Sequence, residues 1–155
     1  MSVRVWDLLR PTSRSCVASV AVHDGGCGAL LAHPSRPLLI SGGVKGDICL
    51  TSTLSWRPLC TIPAHKGAVK CMTLVPPACT PGHWGYFVSG ASDGDIKLWD
   101  LEALEAAASD DSDMSTVAGS ACVQHLSDCH DKSPQPLGTR WQLCGGRMLT
   151  YADVC

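Results

Sequence analysis

The 155-residue sequence contains no long apolar run, no surplus of basic charge and no apolar core of a secretion signal. Its longest apolar stretches, such as 38–40, are far too short to span a bilayer. The 12 basic and 14 acidic residues give a formal net charge of −2, which does not favour nucleic acid or an anionic surface as a partner. Charged side chains are spread through residues 1–20, where a signal peptide would be apolar. These absences favour a cytoplasmic protein.

Ten cysteines are many for a chain of this length, yet no two of them have the spacing C-x-x-C. Several lie in apolar stretches, among them Cys49 and Cys71, where a thiol behaves as a small hydrophobic group. Because there is no secretion signal, we expect reduced thiols in a core rather than a framework of disulfides.

Three segments of the chain align with one another, and they place Trp6, Thr51 and Trp99 at equivalent positions, 45 and 48 residues apart. A Ser-Gly turn segment precedes the second and third copies, and His23 and His65 lie further upstream. A repeat of about 40–45 residues framed by a histidine and a Trp-Asp pair is the signature of the WD repeat.

Each copy consists of short apolar runs separated by Gly, Pro and Asp, which is typical of strands and tight turns. The strands predicted for the best copy span 58–63, 68–75, 86–89 and 95–100. The fold class predicted is therefore all-β, a partial WD-repeat β-propeller of about two full blades with a partial blade at each end. Sustained helical periodicity is absent, with the exception of 101–108.

Three regions follow from this pattern. They are WD-repeat blades in 1–101, an acidic, Ala- and Ser-rich insert in 102–121, and a degenerate last blade in 122–155. We expect the insert to be solvated and to lack fixed structure. Propellers usually have about 4–8 blades, so we expect further blades or a partner to complete the ring.

The best copy resembles the WD-repeat consensus, in which four side chains form a hydrogen-bonded tetrad. The resemblance implies this role for His65, Ser89, Asp93 and Trp99. Buried imidazole and indole N–H groups need acceptors, which serine and aspartate supply. Because the repeat already explains the spacing, a catalytic Ser-His-Asp set is not favoured, and we expect neither an enzyme nor a cofactor.

The preceding copy departs from this pattern. Its four equivalent positions hold His23, Ser41, Lys45 and Thr51. With lysine at the aspartate position and threonine at the tryptophan position, we expect that this degenerate tetrad cannot form. The blade would then depend on the packing of its apolar side chains, namely Leu30, Leu31, Leu38, Leu39 and Ile40.

The run 27–100 resembles the C-terminal propeller of the DmX-like family, also called rabconnectin-3. The most specific part is Ile40–Gly46, because that family also carries a lysine at the turn position in an Ile-Ser-Gly-Gly-x-Lys-Gly phrase. Residues 138–145 resemble the family's last repeat, whereas the acidic insert is a departure.

The resemblance implies a protein-binding scaffold, the C-terminal part of a DmX-like regulator of vacuolar-type proton ATPase assembly and organelle acidification. Its partners would be proteins, among them proton-ATPase subunits or assembly factors, with no nucleic acid and no direct membrane insertion. Such a protein would be cytoplasmic and peripheral to endomembranes. The alternative is an unrelated WD-repeat adaptor, such as a ubiquitin-ligase substrate receptor.

Turns alternate between the two ends of an antiparallel meander, so two groups of loops are candidates for binding proteins. One end would present Lys45 and Lys66, and the opposite end would present His83 and Trp84 beside the acidic insert. An exposed tryptophan is a typical hot-spot residue.

One cluster has the side chains of a zinc site, namely Cys122, His125, Cys129 and His130. It lacks a C-x-x-C pair and adjoins the acidic insert, so we expect no metal there and instead an unstructured or strand-edge role. A zinc module or a zinc-dependent enzyme is the hypothesis that metal analysis of the purified chain would test.

Overall fold

The computed structural model describes residues 2–76, 85–108, 114–129, 143–144 and 147–148. Its β-strands are β1 (Val3–Trp6), β2 (Cys16–Val20), β3 (Cys27–Ala32), β4 (Leu38–Gly43), β5 (Asp47–Ser52), β6 (Pro58–Pro63), β7 (Val69–Leu74), β8 (Tyr86–Ala91), β9 (Ile96–Asp100), β10 (Cys122–Leu126), β11 (Leu143–Cys144) and β12 (Arg147–Met148). Two helices, α1 (Leu101–Ala107) and α2 (Met114–Ala121), lie between β9 and β10. A single 3-10 turn, Thr12–Arg14, lies between β1 and β2.

The strands form two four-stranded antiparallel sheets and two separate strand pairs. Strands β3, β4, β5 and β6 follow one another across one sheet, here called blade A, and β7, β8, β9 and β10 do so in the other, blade B. Strand β1 pairs with β2, and β11 pairs with β12. These meanders confirm the predicted all-β, partial propeller.

The sheets are divided differently from the sequence repeats. Strand β6, predicted as the first strand of the best copy, is the outer strand of blade A. Strand β10, predicted as part of a separate last blade, pairs with β9 and completes blade B, with Cys122 opposite Trp99 and Leu126 opposite Ile96. The reason is that one sequence repeat comprises the outer strand of one sheet and the three inner strands of the next.

Helix α2 lies in the stretch predicted to lack fixed structure, and there the structure differs from the prediction, whereas α1 lies in the stretch 101–108 in which the sequence has helical periodicity. Asp100 caps α1, because its Oδ1 accepts hydrogen bonds from the backbone N of Glu102 and of Ala103 at 2.9 and 3.1 Å. Leu101 and Leu104 are fully buried on one face of α1. Their spacing is that of one face of a helix, which agrees with the periodicity of 101–108. None of the helices in the described ranges is long and apolar enough to cross a membrane.

The core fills the space between the two sheets and beneath the helices. Both helices pack against the outer strand β6 of blade A. Fifteen residues form this core: Leu38, Ile40, Ile48, Leu50, Cys60, Ile62, Ala64, Val69, Phe87, Trp99, Leu101, Leu104, Val117, Ala118 and Ala121. Of the residues expected to hold blade A together, Leu38 and Ile40 are buried, whereas Leu30 is 54% exposed.

Candidate binding surface and the histidine networks beneath it

Blade B contains a buried hydrogen-bond network around Ser89. The indole Nε1 of Trp99 donates to Ser89 Oγ at 2.8 Å, and His65 Nε2 is hydrogen-bonded to the same oxygen at 2.7 Å. Asp93 Oδ2 lies 3.5 Å from His65 Nδ1, too long for a well-formed hydrogen bond. The structure thus brings the four expected residues together, with Ser89 as the shared partner.

Asp93 connects this network to the chain that enters blade B. Its Oδ2 accepts hydrogen bonds from the backbone N of Lys66 at 2.8 Å and of Gly67 at 3.2 Å. Partial burial by itself raises the pKa of Asp93, but the backbone N–H donors of Asp95, Lys66 and Gly67 bring it below its ordinary value. The carboxylate therefore holds the loop before β7 against the turn between β8 and β9.

Burial disfavours the charged form of His65 as well, but for a histidine this lowers the pKa. The pKa of His65 therefore lies below its ordinary value, although the nearby carboxylate of Asp93 raises it in part. His65 is therefore neutral at physiological pH. Its ring acts as a hydrogen-bonding group in the core and not as a cation.

Blade A has a related network with a different acid. His23 Nε2 is hydrogen-bonded to Ser41 Oγ at 2.8 Å, as in blade B, but the ring's Nδ1 contacts the carboxylate of Asp47. Ser41 Oγ also donates to the backbone oxygen of Cys49 at 3.3 Å. The aligned positions Lys45 and Thr51 take no part in these bonds to the histidine, yet His23 has two partners.

Asp47 does not stand at the position of the usual aspartate, so the alignment of the two copies did not indicate it. The residue aligned with Asp47 is Asp95, which in blade B instead contacts His125 Nε2 at 2.8 Å. Both copies carry an acid at this position, which was the signal available. The acid reaches the histidine in blade A because β5 begins with Asp47 beside the ring, and lysine leaves the usual aspartate position without a carboxylate.

Close glycine contacts join the turns of the two blades. Gly46 has a φ of +88°, and its carbonyl oxygen accepts from the backbone N of Ala64 at 3.1 Å and of His65 at 2.8 Å. A Cβ at this position would lie only 2.1 Å from the carbonyl oxygen of His65. The turn between β4 and β5 thus packs directly on the histidine loop of the next blade.

These contacts place four loops at one end of the molecule, here called the histidine end: 21–26, 44–46, 64–68 and 92–95. Lys45 is exposed there, and its Nζ lies 2.7 Å from Asp24 Oδ2. The hydrogen bond and charge of Lys45 lower the pKa of Asp24. Lys66 is also exposed at this end. His83 and Trp84, the other two candidates, lie outside the described residues.

The cluster considered for zinc is not assembled as a metal site in the described residues. His125 is bonded to Asp95, and Cys122 Sγ donates to the backbone oxygen of Gln124 at 3.5 Å. Burial raises the pKa values of both Cys122 and Cys129, which disfavours the thiolate that zinc requires. No group of three metal-binding side chains is gathered in the described ranges, and His130 lies outside them.

Neither serine network has the accessibility of a catalytic site. Ser89 is fully buried and Ser41 nearly so, and both hydroxyl groups are already bonded within the core. A nucleophile must reach a substrate as well as its base. The Ser-His-Asp sets therefore fasten turns to strands. No disulfide joins two of the described cysteines, which are Cys16, Cys27, Cys49, Cys60, Cys71, Cys122 and Cys129.

Comparison with known proteins agrees with this architecture. Residues 56–100 match the family described as "WD domain, G-beta repeat". The match begins just before β6 and ends with β9, so it contains all four residues of the blade B network. Residues 56–100 are therefore a WD repeat, as the sequence pattern predicted.

Two known proteins are similar to a longer part of this chain. The chain is 31% identical to DmX-like protein 1 of Mus musculus and 32% identical to DmX-like protein 1 of Homo sapiens, in both cases over 103 residues, or 66% of this chain. The matched segment is 3% of the length of either relative. The repeats of this chain are thus similar to those of DmX-like proteins, as their sequence predicted.

A third relative and a solved structure are also similar. The "p21-activated protein kinase-interacting protein 1-like" of Danio rerio is 30% identical over 100 residues, which are 64% of this chain and 24% of that protein. The computationally designed Ika8 protein aligns with a TM-score of 0.45 and 24% identity, over 56% of this chain and 24% of its own.

Proposed function

We propose that this chain is a protein-binding WD-repeat scaffold that acts in the assembly of the vacuolar-type proton ATPase, and so in organelle acidification. The observation that carries the proposal is the phrase Ile40–Gly46, with its lysine at the turn, inside a segment similar to DmX-like protein 1. The role in ATPase assembly is what that resemblance implies.

The geometry of blade A supports a binding role for Lys45. Because Asp47 supplies the acid that contacts His23, the blade retains its network without an acid at position 45. The side chain of Lys45 is consequently free to lie on the surface, where its partner Asp24 is almost fully exposed. Water screens such a pair, so it exchanges readily for a carboxylate of another protein.

We infer that the histidine end, with Lys45 and Lys66, is the surface that binds the partner. Its loops are fixed by Gly46 and by Asp93, so the two lysines are presented on a rigid support. A preorganised surface loses little conformational entropy on binding. An acidic segment of a proton-ATPase subunit or assembly factor would complement it.

Co-precipitation from the source cell tests this proposal. The tagged chain should recover proton-ATPase subunits or their assembly factors, and Lys45→Glu combined with Lys66→Glu should abolish recovery. Arg57→Glu is the matched control, because Arg57 is exposed and precedes β6, the strand that leads to His65, so it lies at the opposite end of the sheet. Recovery of no such subunit by the unmodified chain would refute the proposal, and recovery of ubiquitin-ligase subunits instead would support an unrelated adaptor.

A further inference from the structure

Strand β1 is paired on one edge only, in contrast to the strands at the same position of the other two repeats. β5 lies between β4 and β6, and β9 lies between β8 and β10, whereas β1 is bonded to β2 alone among the described strands. The backbone N–H and C=O groups along the other edge of β1 therefore face no strand of the described residues. Such an edge is a template on which a further strand can add.

The pairing of β1 with β2 repeats the pairing of β9 with β10. Trp6 lies opposite Cys16 in the first pair, and Trp99 lies opposite Cys122 in the second. In both pairs the register shifts beside these residues. Strand β1 therefore has the same place in its strand pair as β9 has in blade B, and the surroundings of β9 show what would lie next to it.

The tryptophans at this shared position have different surroundings. Trp99 is 1% exposed, and its indole Nε1 donates to Ser89 Oγ on the neighbouring strand β8 at 2.8 Å. Trp6 is 52% exposed, and no described residue accepts a hydrogen bond from its indole N–H. A serine on a strand next to β1 would give Trp6 the acceptor that Trp99 already has.

A backbone donor just after β1 is in the same position. Leu101 N donates to the carbonyl oxygen of Gly85 at 2.8 Å, directly before β8, and Thr53 N donates to that of Pro37 at 2.9 Å, directly before β4. Leu8 is the equivalent residue after β1, and its backbone N has no such acceptor among the described residues. A strand added to β1 in the same way would supply one.

Space for a strand exists on the unpaired side of β1. A cleft of about 280 Å³ is lined by 2–4 on one side and by 27–30 on the other. No described residue of β2 lines it, so the cleft lies beside the edge of β1 that carries the unpaired backbone groups. Leu30, on the wall of the cleft, is 54% exposed and offers apolar surface to an occupant.

The other two repeats define which strand would fit. Residues 87–90 of β8 lie opposite 96–99 of β9, and 39–42 of β4 lie opposite 48–51 of β5. Both segments consist of two apolar residues followed by Ser-Gly. The equivalent register on β1 places the serine opposite Arg4, on the side of the strand that carries the indole.

We propose that β1 is an acceptor site for an extended segment of another protein, which adds as an antiparallel strand and carries two apolar residues followed by Ser-Gly. Main-chain hydrogen bonds to β1 supply affinity, and the contact of the serine with Trp6 supplies specificity. Segments 39–42 and 87–90 of this chain are already paired on both edges, so we assign the strand to a second protein. The site goes beyond the proposed scaffold function, because it does not depend on what the histidine end binds.

Peptide titration followed by nuclear magnetic resonance tests this inference. A synthetic peptide with the sequence of residues 85–91, which contains Phe-Val-Ser-Gly, should bind the full chain and slow amide hydrogen exchange in 3–6. The outer edges of β2 and β10 are also unpaired in the described residues, and exchange there should not change. A peptide of the same composition in scrambled order should bind at least about tenfold more weakly, because it loses the serine and its register.

Paired substitutions test the contact between the serine and Trp6. Replacing the serine of the peptide with alanine should weaken binding about three- to tenfold, because one hydrogen bond is lost. Trp6→Phe should weaken binding of the serine peptide by a similar factor and should change binding of the alanine peptide by less than about twofold. Trp56→Phe is the matched control, since Trp56 lies in blade A between β5 and β6, and it should leave both affinities unchanged.

Several results would overturn the inference. They are absence of peptide binding, equal binding of the scrambled peptide, slowed exchange confined to β2 or β10, and a serine effect that persists in Trp6→Phe. Trp6→Phe should melt at the same temperature as the unmodified chain, since Trp6 is half-exposed. Size-exclusion chromatography checks the choice of partner, because self-association that slows exchange in 3–6 without peptide would show that a second copy fills the site.

Discussion

Replacing Ser89 with alanine should destabilise the chain more than any other loss of a single hydroxyl group in the described residues. Ser89 Oγ is the partner of both Trp99 Nε1 and His65 Nε2, at 2.8 and 2.7 Å. Ser89 is fully buried and Trp99 is 1% exposed, so water cannot replace the lost oxygen. Two buried polar nitrogens would remain without that partner.

The magnitude follows from the number of groups left unsatisfied. A buried polar group that loses its partner costs about 1–3 kcal/mol, so Ser89→Ala should lower the free energy of unfolding by about 2–5 kcal/mol. Ser41→Ala in blade A should cost less, about 1–3 kcal/mol, because His23 keeps its contact with Asp47. Ser19→Ala, on the exposed side of β2, should change stability by less than about 0.5 kcal/mol.

Urea denaturation followed by circular dichroism measures these differences. A double-mutant cycle with Trp99→Phe sharpens the test, since Ser89→Ala in that background no longer leaves an indole N–H unsatisfied. The double variant should lose about 1–2 kcal/mol less than the sum of the single losses. Additive losses, or a Ser89→Ala effect as small as that of Ser19→Ala, would show that the network does not hold blade B together.

Two further predictions concern the turns and the thiols. Gly46→Ala should destabilise the chain by more than about 2 kcal/mol, because φ is +88° and the new Cβ would meet the carbonyl oxygen of His65 at 2.1 Å. Gly119→Ala, in helix α2 with nothing within 4 Å, should instead stabilise it by about 0.5–1 kcal/mol, and equal denaturation midpoints for the two variants would contradict this reasoning. Burial raises the pKa of Cys60 to about 11. At pH near 8, iodoacetamide should therefore modify Cys60 far more slowly than it modifies the exposed Cys16, and peptide mass spectrometry can measure the two rates. Equal rates of modification would mean that the Cys60 thiol is accessible.

Much of the architecture could be predicted from the repeat alone. The alignment of Trp6, Thr51 and Trp99 gave the strand spacing, and the frame from His65 to Trp99 gave the four members of a network that the structure assembles. These residues act within one repeat or its immediate neighbour, so their sequence spacing is tied to strand register. A pattern of that kind is visible in a single sequence.

The packing of the helices and the assignment of β10 could not be predicted in the same way. Helix α1 is stabilised by burial of Leu101 and Leu104 against β6, more than 35 residues earlier in the chain, and by pairs from Glu102 and Glu105 to Arg36. Composition gives only the average polarity of a segment, and the average for 102–121 is acidic and typical of a solvated stretch. Only the folded chain shows which few side chains meet an apolar strand.

The sequence by itself determined the class of protein, because a hydrogen-bonded frame demands particular side chains at fixed register positions. Tertiary structure alone decided which carboxylate contacts His23. It is Asp47, two residues after the aligned Lys45, whereas the acid near His65 is Asp93, at the position that the repeat indicated. The physical reason is that the network requires a carboxylate close to the imidazole ring of the histidine. The distance between the two groups depends on how the turns of neighbouring blades pack together. That packing also releases Lys45 to the surface, where the binding role is proposed.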